Sequence, residues 1–376
     1  MDNTYLHITG SQAIQLLRHA RLGTKLCTQT VPFTHVQELN GSALPTTLES
    51  LQGLTELLGV SRKNPLELRV PNDASRTWIS AVHCTTLNAD VPNQSFLELR
   101  SGTGAQALSW PSNIHVLIDG PGLAVVEGAR ALLKLLTSDK LDELQALLRL
   151  LEFCDELCGH YVRDPLDHRS GKPTYDEPHE DSRLCNPEQL ISFLKALPRM
   201  DGVRLARRVA QYTIDESGSP MESYFNHALT LPPRLAGLSL PKPLANKQLR
   251  INDDERGLML HDSLRPDLQW PEQRVLAEYL GDEPHAGKAA RVEDKNRLLD
   301  YASTRYVAFP LMFDDVRNAT ALNRTAQMIA RELMHKGCPQ ALYRVRRIQS
   351  REGFASKQNT LIATLLPPVK RYDDVR

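Results

Sequence analysis

The chain of 376 residues contains no run approaching the roughly 18–20 consecutive apolar residues that a membrane helix needs. Its first residues, Met1-Asp2-Asn3-Thr4, have neither the basic start nor the apolar stretch of a secretory signal. Charge of either sign is not in surplus: Lys+Arg and Asp+Glu are both 45, so the global balance neither calls for nor excludes nucleic acid, and local clusters must decide. The six cysteines, Cys27, Cys84, Cys154, Cys158, Cys185 and Cys338, are too scattered for a disulfide framework and suit a reducing compartment. These absences predict a cytoplasmic protein with no membrane partner. The remaining composition, 41% hydrophobic and 24% charged, is that of a globular chain, and its length predicts two domains.

Two apparent motifs fail on closer reading. Asp119-Gly120-Pro121-Gly122 precedes an Ala/Leu-rich helix, but lacks the Lys-Ser/Thr of a P-loop and the third glycine of a dinucleotide fingerprint, so it reads as a plain turn. Cys154, Cys158 and His160 suggest a metal, yet the cysteines are four apart in a helical pattern with no second CxxC, and read as core.

Residues 1–60 read as helical segments (11–18 and 47–58), followed by short strands at 66–70, 78–84, 96–100 and 115–118. Helices are expected at 121–136, 141–161, 187–196 and 203–212, with a long polar loop over 163–183. From Ser219, an N-cap with Pro220 behind it, the order is helix, four short strands (247–251, 258–261, 265–270, 274–279), a charged helix (286–300), a strand (305–309) and a long helix (314–335). This predicts an α/β (α+β) chain: an N-terminal mixed α/β domain over 1–200, an α/β sandwich around a small mixed sheet over 201–340, and a basic tail over 341–376.

The chemistry-bearing residues lie in the second half. Asp267 and Glu278 fall on neighbouring strands eleven residues apart, and Glu222 sits in the first turn of the helix upstream. Carboxylates so placed can meet at one sheet edge, and Mg²⁺ or Mn²⁺ takes a few such hard oxygens together with water and phosphate. Glu278 lies inside the apolar run Val275–Leu280, where an unpaired carboxylate would be costly, so a partner or a metal is implied. His285 follows the strand as a candidate base or phosphate contact, and Asp294 and Arg297 share a helix face as supporting groups. Basic residues cluster at Arg204, Arg207 and Arg208 and at Arg344, Arg346 and Arg347, a pattern able to hold a phosphate backbone.

Taken together, "SPME" at Glu222, "RPDLQWP" at Asp267, "AEYLGDEPH" at 277–285 and "EDKNRLLDY" at 293–301 resemble the Vsr-like branch of the PD-(D/E)XK restriction-endonuclease-like superfamily, as it occurs in actinobacterial proteins found beside AbiEi-type abortive-infection antitoxins. The resemblance covers about residues 200–335, with a fainter match at 152–161. It implies a restriction-endonuclease-like fold and a metal-dependent nuclease acting on DNA, in phage defence or mobile-element biology. Glu222, Asp267 and Glu278 would be the acidic site, and His285, Asp294 and Arg297 its support. The chain departs from the pattern at Leu280, where these proteins carry Asp and the wider superfamily Lys; Lys288 or Lys295 would have to take that role. The same departure implies an alternative: a non-cleaving DNA-binding regulator or partner subunit, antitoxin-like, with a protein partner from a defence or toxin–antitoxin system.

Overall fold

The computed structural model describes residues 3–31, 44–87, 91–164, 170–174, 182–280 and 288–366, with no account of the side chains of 288–291. Along the chain come β1 (Thr4–Ile8), α1 (Gly10–Arg21), β2 (Leu26–Thr30), α2 (Leu44–Ser50), α3 (Gln52–Leu57), β3 (Leu66–Val70), β4 (Val82–Thr86), β5 (Phe96–Ser101), β6 (Ile114–Asp119) and α4 (Pro121–Thr137). Next are α5 (Glu143–Cys158), β7 (Tyr161–Arg163), β8 (Gly171–Pro173), α6 (Pro187–Ala196), α7 (Val203–Ala210) and α8 (Pro220–Thr230). The last stretch holds β9 (Leu244–Ala245), α9 (Asp253–Arg256), β10 (Leu268–Trp270), β11 (Val275–Tyr279), α10 (Lys288–Ser303), β12 (Val307–Leu311), α11 (Ala319–His335), α12 (Ala341–Gln349) and α13 (Phe354–Leu365). The α+β class is as the sequence indicates.

Two compact units result: Met1–Asp142 with Pro173–Thr213, and Glu143–Lys172 with Ile214–Arg376. The boundary expected near 200 therefore falls inside the second segment of the first unit, and α5 belongs with the C-terminal half.

The first unit is built on a six-stranded mixed sheet in the order β2-β5-β6-β1-β3-β4. Its central strand β1 pairs in parallel with β6 and antiparallel with β3, and Leu6, Ile8, Leu68, Val116 and Ile118 are fully buried. Helix α1 turns Ala13, Leu16, Leu17 and Ala20 inward at helical spacing. The opening strands β1 and β2 contradict the all-helical reading of residues 1–60: each is only five residues long, too short to register against helical patterning. The strand expected at 78–84 begins at Val82, and Trp78 is 96% exposed. Gly120 and Gly122 are a packing requirement, as the plain-turn reading has it. A Cβ on Gly120 would lie 2.4 Å from the Gln94 carbonyl, and one on Gly122 2.1 Å from the Phe193 ring.

Beneath α4 lies a buried polar network. The antiparallel register sets His7 on β1 opposite Arg69 on β3, and Asp119 ends β6. Asp119 is bonded to His7 Nε2 at 3.0 Å, accepts from the Thr9 hydroxyl at 2.5 Å, and pairs with Arg69, which also reaches Glu127 at 2.8 Å. Burial pushes the Asp119 carboxyl up, but the Arg69 charge with the His7 and Thr9 hydrogen bonds outweighs it and holds the group at about 2.

The second unit carries a four-stranded sheet, β12-β11-β10-β9, with β11 and β12 parallel and the other pairs antiparallel. Leu249, Leu264, Leu276 and Tyr301 form one of its core clusters, and Tyr301 fixes α10 against the sheet. The strands expected at 247–251 and 258–261 do not form. Asn246 turns out of the sheet at φ 49°, which ends β9 at Ala245, and Leu258 and Leu260 point largely to solvent. The backbone N–H groups of Leu260 and His261 are taken instead by the Asp300 carboxylate. The basic tail is folded through residue 365: α12 and α13 pack against each other and α13 against α5. Cys84, Cys154 and Cys158 are buried; the last two share the inward face of α5.

Candidate carboxylate site and basic surfaces

Helix α8 starts as its sequence dictates. The Ser219 hydroxyl accepts from Glu222 N–H at 3.2 Å, Pro220 takes the first turn, and Glu222 stands where the helix dipole favours an acid. The Glu222 carboxylate turns back to accept from Gly218 N–H at 2.7 Å and from Asn246 Nδ2 at 2.6 Å. Asn246 also donates to the Glu216 carbonyl at 2.9 Å, so its left-handed backbone places an amide between helix and sheet.

The register of β10 on β11, Leu268 with Ala277, sets Asp267 opposite Glu278 one step on. Their backbones bridge accordingly: Asp267 N–H donates to Glu278 Oε2 at 3.2 Å, and Tyr279 N–H donates to Asp267 Oδ2 at 2.6 Å. Asp267 Oδ1 accepts no hydrogen bond among the described residues. Glu278 is 1% exposed; its Oε1 is paired with Arg297 and its Oε2 accepts from the Tyr301 hydroxyl at 3.1 Å. Arg297 and Tyr301 are four apart on α10 and thus share a face.

The electrostatics separate the three acids. Burial pushes the Asp267 carboxyl well above the usual range and the Glu222 charge adds to this, against the Tyr279 N–H and the Arg297 charge. Burial also raises Glu222, outweighing its hydrogen bonds from Asn246, Gly218 and Ser219. The Glu222 charge thus opposes the ionisation of Asp267, an arrangement that a proton or a cation relieves. Glu278 is paired with Arg297. Among the described residues no group of three or more His, Cys, Asp or Glu is placed to hold a metal ion, and of the three predicted acids Glu278 is turned to Arg297 and Tyr301.

Of the predicted supporting groups, Arg297 enters the cluster and pairs with Glu278 rather than with Asp294. Asp294 is half-buried and Lys295 exposed on the same helix. Lys288 begins α10, but its side chain, like the whole of His285, lies outside the described residues. Leu280 is half-buried just past β11, where its N–H donates to the Leu311 carbonyl. Sequence reasoning missed Asn246 and Tyr301. Tyr301 was within reach of it, one helical turn from Arg297; Asn246 carried no signal beyond the tolerance of Asn for left-handed backbone.

The predicted basic residues fall into both units. On α7, Arg204 and Arg208 are exposed, but Arg207 caps α6, donating to the carbonyls of Leu194, Lys195 and Leu197 at 2.7–3.2 Å. That duty satisfies a helix C-terminus, and Arg207 is exposed like its two neighbours. In the second unit Arg344, Arg346 and Arg347 are all exposed on α12.

No family model matches the chain, and no solved structure matches it significantly. Two uncharacterized proteins of Mycobacterium tuberculosis, MT2308 from strain CDC 1551 and Rv2248 from strain H37Rv, are each 39% identical to it over 69 residues, 18% of this chain and 25% of theirs. The chain is therefore similar to about a quarter of the length of these curated relatives, whose names give no activity.

Proposed function

We propose that the second unit is a nuclease-like module acting on DNA with a divalent cation, related to the Vsr-like PD-(D/E)XK proteins that its sequence resembles. The observation that carries this reading is the pair Glu222 and Asp267, two carboxylates near enough that the Glu222 charge acts on Asp267, and neither in an ion pair among the described residues. Hard oxygens of this kind suit Mg²⁺ or Mn²⁺, which needs few carboxylates when water and phosphate fill the remaining positions. Bound there, the ion would neutralise phosphate charge and lower the pKa of a coordinated water. The chain's own part is to orient the acids: Ser219, Gly218 and Asn246 hold Glu222, and the Tyr279 N–H holds Asp267. Arg297, paired with Glu278, is the protein cation whose charge acts on both acids.

A second reading follows from the Arg297–Glu278–Tyr301 cluster. A superfamily acid satisfied within the fold, beside an aliphatic Leu280, suits a DNA-binding regulator or partner subunit that no longer cuts. Incubation with supercoiled plasmid in Mg²⁺ or Mn²⁺ separates the two. The nuclease reading expects nicking by the wild type, lost in Asp267→Ala and Glu222→Gln. Equal nicking by all three sinks the site assignment, and none by the wild type leaves the binding reading.

A further inference from the structure

Helices α11 and α12 leave between them a groove of about 510 Å³, lined by Thr320, Asn323, Arg324, Gln327, Arg331 and Arg346 among others. Its lining has three guanidiniums and no carboxylate, and among the described residues none of the three is in an ion pair. Arg324 and Arg331 are exposed and two turns apart on α11; Arg346 faces them from α12. Uncompensated like charges converging on one cleft favour an anion that bridges them.

The floor of the groove is held by side-chain amides. Asn323 exchanges hydrogen bonds with Gln358 of α13 at 3.0 and 2.9 Å, accepts from Gln349 of α12 at 3.0 Å, and Gln349 in turn accepts from Gln327 at 2.6 Å. Gln358 is fully buried. Three helices are thereby locked together and the arginine spacing is preset, which lowers the ordering cost of binding. Beyond the lining, Tyr343 is 68% exposed and lies a turn away from both Arg346 and Arg347 on α12. An acidic peptide would need only the charge; an exposed aromatic interleaved with arginines suits a polymer that carries both phosphates and flat bases.

We propose that the α11/α12 groove seats the phosphate backbone of a nucleic acid, gripped by Arg324, Arg331 and Arg346, with Tyr343 placed to stack on a base. The groove rests on the DNA reading above only for the kind of polymer, and it stands whether or not Glu222 and Asp267 support cleavage.

The test is fluorescence anisotropy of the full chain with labelled single-stranded and duplex DNA, in EDTA, over a series of salt concentrations. The expected result is binding by the wild type and at least a tenfold loss in R324A/R331A/R346A, with the slope of log affinity against log salt reduced by about 2–3, near 0.9 for each duplex phosphate contact removed. The triple Lys variant should retain most of the slope. The proposal is overturned if the wild type binds neither DNA, if the triple Ala variant keeps wild-type affinity and slope, or if polyglutamate or anionic vesicles displace the probe as well as unlabelled DNA does. Plasmid that is bound through the groove but not nicked overturns the cleavage reading alone.

Discussion

Glu278 is the residue whose surroundings decide most about the site. Removing Arg297 would leave its carboxylate buried against Tyr301 without a counter-charge. Arg297→Ala is expected to destabilise the second unit by about 3 kcal/mol in urea unfolding, with Glu278→Gln in the same chain recovering part of the loss. Tyr301→Phe removes one hydrogen bond to a charged group and should cost about 1.5 kcal/mol. If neither variant unfolds earlier, the cluster is not a structural pair and Arg297 is available for other work. In the first unit Asp119 behaves in the opposite sense to the site acids. Its folded pKa, near 2, lies below the unfolded value, so its contribution, about 2 kcal/mol, is present above the ordinary carboxylate range and lost as pH falls toward 2. Acid unfolding of Asp119→Asn should lack that component. At this scale the sequence was partly readable. A glutamate inside an apolar strand had to have a partner, and the partner turned out to be a guanidinium one helix away. Which partner it was depends on how α10 is rotated, and α10 is charged on several faces, so its pattern does not fix that rotation.

Helix α8 and the turn at Asn246 place Glu222 together, and each can be tested alone. Ser219→Ala removes the N-cap and should cost about 1 kcal/mol. Asn246→Ala combines a lost hydrogen bond to Glu222 with a left-handed residue that no longer tolerates it, about 1–2 kcal/mol for the backbone alone. Asn246→Gly should be milder, since glycine accepts φ 49° freely; thermal unfolding in which Ala and Gly are equivalent would show that the strain is relieved elsewhere. The element pattern was legible where caps and periodicity agreed. The helices at 187–196, 203–210 and 220–230 start at the expected residues, each after a Gly, Asn or Ser cap. It was not legible at 247–251, where the alternation of Leu249 and Ile251 suits a strand but the turn at Asn246 forbids one.

For the whole molecule, titration sets the two units in opposition. Asp267 and Glu222 have folded pKa values raised above their unfolded ones, so the stability they contribute is fully present below the unfolded carboxylate pKa and lost as pH rises through the folded values. The second unit should therefore gain stability on mild acidification while the first does not. Differential scanning calorimetry across pH 4–8 checks this, and Asp267→Asn should flatten the slope of the second unit's transition. Addition of Mg²⁺ should do the same for the wild type if the acids bind it, because a cation replaces the proton as the relief of their repulsion. A transition unmoved by pH in the wild type would remove the physical basis for the cation proposal.

The connectivity of the two units also bears on how the chain comes to be folded. The polypeptide passes between them at 142/143, 172/173 and 213/214. Helix α5 leaves the ribosome long before α13, the helix it packs against, some two hundred residues later. Its buried Asp155 must wait in an unfinished chain for its partners, the Ile214 N–H and His227. Neither unit can close on the nascent chain in strict order, so assembly is governed by contacts distant in sequence and should be slow. A protein cut at residue 200 should yield two insoluble halves, because α5 would be left with the wrong one. Any partner that captures this chain during synthesis has a long interval in which to do so.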